Sequence, residues 1–318
     1  MDPITHGALG AACAQTVFGR YNKQIPWQVG ALAGMAPDLD VFIRFSQEPL
    51  SLEQWHRYLT HSLLFIPIGG LIVALFLLCF AQYRRHWKLT IGAALVGYAT
   101  HGLLDSLTSY GTVLFWPWSN ARISWDIVSI IDPVFTLPLL LGTIWSVIHQ
   151  NQKAVTAGLM FSGIFLVFNT IQHNRALYGA HQYATTNNLK LNHTRALPKL
   201  ASSTYWRIIA KQNHCVIIAE AKTPLWHQTT IRPITQTLSY TEQALPFALS
   251  TGQKSDLTTF SWFTDGFLIV ANKDPFILAD ARYTIDYNPM LSLWGIQLLP
   301  KQAHINKVSL PKINELCK

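Results

Sequence analysis

The chain is short of charge. Asp, Glu, Lys and Arg make up 13% of its 318 residues, against 50% hydrophobic residues, whereas soluble domains carry about 25% charged residues. That deficit excludes an ordinary soluble surface over the whole chain and points to a bilayer. Thiols are scarce too. The four cysteines, Cys13, Cys79, Cys215 and Cys317, lack metal-ligand spacing, which excludes a thiolate site of the usual kind. Cys13 and Cys79 lie in apolar segments and read as packing residues. Cys215 and Cys317 can pair if their region is exported. No G-x-S-x-G, P-loop or H-E-x-x-H occurs, so a nucleophile elbow, a phosphate-cradling loop and a zincin helix are all missing. The net charge of +8 comes without a Lys/Arg run. It reads as basic loops facing anionic lipid, with no nucleic acid as partner.

Apolar segments fill the first half. Ser62 to Gln82 carries no charge and is long enough to span about 30 Å of hydrocarbon. Leu89 to Leu107, Ile127 to His149 and Ala154 to Ile171 are further expected spans. Ile4 to Gly19 and Trp27 to Ala36 are marginal in length and read as tilted spans or a re-entrant pair. Basic residues orient them. The turns at 20–26, 83–88 and 150–153 carry Arg20, Lys23, Arg84, Arg85, Lys88 and Lys153. The opposite connections hold Arg44, Arg57 and Arg122. The first set is therefore cytoplasmic, and the N-terminus and the chain after Ile171 lie outside.

The expected fold is a polytopic α-helical membrane domain over 1–172, followed by a small, mostly antiparallel β domain. Residues 173–318 form the extracytoplasmic linker and that β domain. After residue 173, Asn and Thr become frequent and no long apolar span returns. Residues 173–200 read as a linker with some helix. Tyr205 to Ala210, Cys215 to Ala219, Thr258 to Phe263, Phe267 to Ala271, Phe276 to Ile285 and Leu291 to Leu299 read as strands. Thr264-Asp265-Gly266 reads as a hairpin turn.

Ionisable residues in such segments are expensive and usually functional. They fall at one side. His6 starts the first segment and Asp38 and Asp40 end the second. His56, Arg57 and His61 precede the third. His101 and Asp105 lie in the outer half of the fourth, and Asp126 and Asp132 start the fifth. His101 and Asp105, four apart, share a helical face. They either ligate one cation or form a ligand and its orienter. A buried pair that only packs helices is the bland alternative. Ser51 with Gln54 suggests a capping box starting a helix through His61. On it Arg57 and His61 share a face, while His56 serves as proton donor or second-site ligand. Arg57 holds an anion or pairs with an acid; otherwise it belongs to a rim touching lipid headgroups. Asp38 and Asp40 converge on a cation or form an Asx-type turn. Asp132 is favoured over Asp126 as a catalytic acid. The candidate metal ligands are His6, Asp38, Asp40, His61, His101 and Asp105; His56, Arg57 and Asp132 are the candidate catalytic residues. Imidazole plus carboxylate suits a divalent metal such as Zn²⁺ or Mn²⁺, as one or two ions.

Met1-Asp2-Pro3-Ile4-Thr5-His6-Gly7, Ala36-Pro37-Asp38-Leu39-Asp40, His56-Arg57-Tyr58-Leu59-Thr60-His61-Ser62 and His101-Gly102-Leu103-Leu104-Asp105 appear in this order. Together they resemble the bacterial membrane-bound metal-dependent hydrolase family that includes the YdjM-like inner-membrane proteins. Trp116-Pro117-Trp118 fits the same pattern, and Asp280-Ala281-Arg282-Tyr283 resembles an element of the longer members. The resemblance implies a hydrolase of the bacterial inner membrane and leaves its substrate open. The expected partner is a membrane lipid or membrane-associated small molecule, in one version a lipid phosphoester. The rivals are a transporter using the His/Asp groups as an ion path and an envelope protein with a structural metal.

Overall fold

Asp2 starts the first helix. Its carboxylate accepts the Thr5 amide at 3.0 Å, and Pro3 occupies the first turn, where a missing N–H costs nothing. The computed structural model describes residues 1–42 and 48–308. In it α1 (Pro3–Phe18) packs on α2 (Ile25–Met35) and on α6 (Trp87–Ser106). Glycine permits the close approach. A Cβ on Gly30 would strike the Gly10 carbonyl oxygen and lie 2.6 Å from the Ala14 Cβ, and one on Gly97 would lie 2.8 Å from the Gly30 Cα. Small residues that bring backbones together are the usual device of helix packing in lipid.

The remaining helices of this half are α3 (Ser51–Trp55), α4 (Ile66–Leu78), α5 (Ala81–Arg84), α7 (Pro133–His149) and α8 (Gln152–Thr186). Contacts divide the described chain into two units. One comprises residues 1–42, 55–172 and 198–203; the other comprises 48–54, 173–197 and 204–308.

Two helices, α4 and α7, are shorter than the apolar segments that contain them. By length and composition, α8 alone can cross a membrane among the described residues, or two spans exist if the bent pair Ser51–His61 and Leu63–Leu78 counts as one. The expected span from Ile127 becomes helical only at Pro133, which fixes the first turn. α6 is 20 residues long, but its polar positions lower its hydropathy. Only 28% of the most apolar stretch of α8 is buried, so it is not a core helix. Apolar side chains also face outward on α4 (Ile68, Leu71, Ile72, Leu75, Phe76) and on α7 (Leu137, Leu141, Ile144, Trp145, Ile148). Large exposed apolar patches mark contact with a membrane or another protein.

The second unit holds two four-stranded sheets. β1 (Asn192–Pro198), β2 (Tyr205–Gln212), β3 (Cys215–Lys222) and β4 (Thr230–Leu238) lie in that order. So do β5 (Leu268–Lys273), β6 (Phe276–Asp280), β7 (Gly295–Leu298) and β8 (Asn306–Val308). The β2–β3 pair is antiparallel, from Tyr205 opposite Lys222 to Gln212 opposite Cys215. Ile209, Val216 and Ile218 from the first sheet share a core with Phe267, Ile269 and Ala279.

Two expectations are corrected here. Thr258 to Phe263 is not a strand but the end of α9 (Thr251–Phe263). Ser250 and Gln253 close a capping box at its start, and Leu257, Phe260 and Phe263 bury one helical face; cap and 3–4 spacing outweigh the β-favouring side chains. Thr264-Asp265-Gly266 is therefore a helix stop, not a hairpin. Gly266 has φ +69°, and its N–H donates to the Ser261 carbonyl at 2.9 Å, as in a glycine-terminated helix. Residues 173–186 supply the helix expected within the 173–200 stretch. They continue α8, because Ala176 and Ala180 bury against Trp206 and Ile208. Cys317, expected as a partner for Cys215, lies outside the described residues.

Candidate metal centre

Three irregular or helical segments bring the His and Asp residues together. α6 presents His101 and Asp105 on one face. A 3₁₀ turn after α2 (Ala36–Phe42) presents Asp38 and Asp40. The stretch from His56 to His61 is not one helix, which corrects the capping-box expectation. α3 ends at Trp55, Arg57 adopts φ +64°, and His61 closes a short 3₁₀ turn. Long-range bonds hold this shape: Val113 N–H donates to the Arg57 carbonyl at 2.9 Å, and Arg57 N–H donates to Asp40 Oδ2 at 3.2 Å.

Four ligand atoms converge. His61 Nε2 and His101 Nε2 lie 2.9 Å apart. Asp38 Oδ1 is 3.4 Å from the first and 3.3 Å from the second. Asp105 Oδ2 is 3.4 Å from His61 Nε2 and 3.5 Å from His101 Nε2. Bonds of about 2.0–2.1 Å to a tetrahedral ion put neighbouring ligand atoms about 3.3–3.4 Å apart. The cage matches on most edges and is slightly tight between the imidazoles. His61, His101 and Asp105 are buried, while Asp38 keeps partial exposure.

The hydrogen bonds behind the cage set the tautomers. His101 Nδ1–H donates to the Gly34 carbonyl at 2.6 Å, so its Nε2 lone pair faces inward. His61 Nδ1 lies 3.0 Å from Thr60 Oγ1 and 3.3 Å from Asp40 Oδ2, which directs its Nε2 inward too. Two lone pairs at such a distance repel unless a positive charge lies between them. Asp105 Oδ2 is buried and accepts no hydrogen bond. These donors fit a divalent cation, and the cluster can hold a metal ion.

Charge tells the same story outside the helices. Burial alone would raise the Asp38 carboxyl, but the His101 and His61 imidazoles beside it hold it far below the usual carboxylate range. Burial likewise opposes ionisation of Asp40, and the bonds from His56 and His61 overcome it and hold that carboxyl low. Burial pushes His56 down. His61 is buried as well, yet the Asp105, Asp38 and Asp40 carboxylates around it raise it to about 10.

The other expected residues take different places. His6 stacks on His101 at 3.7 Å and reaches Asp105 Oδ1 with Nε2 at 3.1 Å, so it steadies the carboxylate from outside the cage. The Met1 nitrogen also contacts Asp105 Oδ1. Arg57 Nε lies 3.1 Å from Asp105 Oδ2, without the alignment of a hydrogen bond. Its Nη1 donates to Thr108 Oγ1 at 3.2 Å, and its guanidinium sits over Tyr110. Arg57 is thus an acid's partner. Asp40 and His56, joined at 2.7 Å, stand behind His61. Asp132 caps α7 by accepting the Val134 N–H at 3.1 Å; its carboxylate serves the helix start and is not among the cage atoms. Asp126 is buried with φ +57° and is not a cage residue either.

Thr60, Thr108 and Tyr98 escaped the sequence reading. Tyr98 donates its hydroxyl to the Thr60 carbonyl at 2.9 Å. Its place three residues before His101 on one helical face was the available signal. For the Gly34 carbonyl there was none, because every residue carries such an acceptor.

The model of the YdjM inner membrane protein family matches residues 1–176. No curated protein and no solved structure matches the chain.

Proposed function

The chain belongs to the YdjM inner membrane protein family, and on that premise we propose a polytopic, metal-dependent hydrolase. In this reading the apolar outer faces of α4, α7 and α8 contact lipid, the cage lies at the outer interface, and residues 173–318 are extracytoplasmic. The substrate class is a lipid phosphoester or a similar membrane-associated molecule. The observation that carries it is the set of four donor atoms at tetrahedral spacing, buried on three sides and open at Asp38. A divalent ion bound there supplies Lewis acidity and activates water at neutral pH.

The chain's own residues do the rest. His61, His101, Asp105 and Asp38 would hold the ion, with the two histidines and Asp105 fixed by Asp40, the Gly34 carbonyl and His6. Asp38 stands at the exposed side, where a substrate would arrive. Arg57 offsets negative charge beside Asp105, so the cage is not overcharged when an anion approaches.

One observation favours a second reading. Four protein ligands can close a tetrahedral shell, as in structural zinc sites, whereas catalytic sites keep a position open. The test separates the two. Detergent-purified protein loaded with Zn²⁺ or Mn²⁺ is assayed on phosphoesters, carboxylic esters, amides and phospholipids. The expected result is hydrolysis that a chelator abolishes and metal restores, and His101→Ala loses metal and activity together. No hydrolysis across the panel, with chelation unfolding the helices, replaces the enzyme by a structural-metal protein.

A further inference from the structure

Asp40 was grouped with Asp38 as a ligand, but the two carboxylates sit on opposite sides of the His61 ring. Asp38 Oδ1 faces Nε2 at 3.4 Å, and Asp40 Oδ2 faces Nδ1 at 3.3 Å. Only Nε2 looks into the cage. Asp40 is also fully used where it stands. Oδ1 meets His56 Nδ1 at 2.7 Å. Oδ2 accepts the Thr60 hydroxyl at 2.8 Å and the Arg57 N–H at 3.2 Å. A carboxylate so committed has no lone pair well placed for an ion, and an Nδ1-side partner is what orients a ligating histidine.

We infer that Asp40 is a positioning residue: beside Nδ1 and through the Thr60 hydroxyl, which lies 3.0 Å from that nitrogen, it holds His61 in the tautomer that presents Nε2, and His56 locks Asp40 in place. The inference rests on the metal reading above and assigns the centre one ion, with Asp40 and His56 excluded as ligands. The arrangement explains the paired acids of Pro37-Asp38-Leu39-Asp40. Residues two apart in a 3₁₀ turn reach different sides of one imidazole, so one acid binds and the other orients.

Co²⁺ is the probe, because its visible absorption reports coordination and its affinity is measured by competition with a chelator. The full-length wild-type chain in detergent is expected to bind one Co²⁺ with a tetrahedral band. Asp40→Asn should keep the band and the stoichiometry while affinity falls about 10–100-fold, the usual effect of losing such a partner. Asp38→Asn should change the band itself. If Asp40→Asn does not fold without metal, Thr60→Val carries the test, since it removes the hydroxyl that joins Asp40 Oδ2 to His61 Nδ1 and leaves all four cage atoms in place; the same band with a several-fold loss is expected. A band altered by Asp40→Asn or Thr60→Val as it is by Asp38→Asn overturns the inference. So does a second Co²⁺ that Asp40→Asn or His56→Ala removes, or affinity unchanged in both Asp40→Asn and Thr60→Val. Wild-type protein that binds no Co²⁺ or Zn²⁺ overturns the metal reading along with it. Absence of hydrolysis with these metal results intact overturns only the enzyme reading.

Discussion

Arg57 keeps a left-handed backbone in a buried turn, a conformation that costs of order 1–3 kcal/mol for a non-glycine residue. The compensation is its place beside Asp105. Arg57→Ala removes the cation next to a buried carboxylate, and breaking such a pair costs about 3–5 kcal/mol. A divalent ion on Asp105 supplies positive charge again. The variant should therefore melt well below wild type when metal-free and recover most of the difference when loaded, read by thermal unfolding in detergent with and without Zn²⁺. An equal loss in both states would contradict the pairing. His61 gives a pH signature. Its folded-state value is raised from 6.5 to about 10, so its charge stabilises the metal-free fold in full below about pH 6.5. That contribution is lost as pH rises through about 10. A bound ion replaces the proton. Zinc loading near pH 8 should release about one proton per chain from this group, and affinity should rise with pH across that window; a pH-independent affinity would count against the cage. At this scale the sequence disclosed His101 and Asp105, since helical spacing alone joins them. It did not disclose the roles of His56, Arg57 and Asp40. Those depend on Val113 and on bonds between residues 16 or more apart in sequence, which no local pattern records.

Helix contact is the next level. Gly30 has neighbouring backbone where a side chain would go, whereas a Cβ on Gly163 meets nothing within 4 Å. Gly30→Val should cost several kcal/mol, beyond the ~1–3 kcal/mol of ordinary overpacking, because backbone and not a flexible side chain must move. Gly163→Ala should be neutral or stabilising by about 0.5–1 kcal/mol. Yield and melting temperature of the two variants in detergent test the contrast, and similar behaviour of both would refute it. Element type was readable where period was strong, as in β2 and β3. It failed at α9, where Thr258-Thr259-Phe260-Ser261-Trp262-Phe263 has strand-like composition. The deciding features were the Ser250 cap and burial of Phe260 and Phe263 in the second unit, and the latter is a tertiary fact. The length of α8 was missed for a similar reason: its alanines look neutral until a sheet covers them.

For the whole molecule, the expected topology is the testable quantity. In a background without native cysteines, Arg84→Cys and Thr230→Cys should label from opposite sides of the membrane, with position 230 outside. Labelling from one side would remove the orientation derived from the basic turns. The glycine contacts among α1, α2 and α6 bear on the centre in another way. α2 ends at the turn that carries Asp38, α6 carries His101 and Asp105, and α1 carries His6. Their backbones touch at Gly10, Gly30 and Gly97, leaving no compliant side chain to absorb a change of spacing. The cage therefore has a fixed bore. Ca²⁺ asks for six to eight oxygens at about 2.3–2.6 Å, and Mg²⁺ for an octahedron. If the proposed centre holds an ion, a frame that cannot dilate is expected to refuse the first by size and the second by ligand number, and to take Zn²⁺ over Mn²⁺; the choice of ion would then be made by the stiffness of the scaffold as much as by the nitrogen and oxygen atoms that touch it.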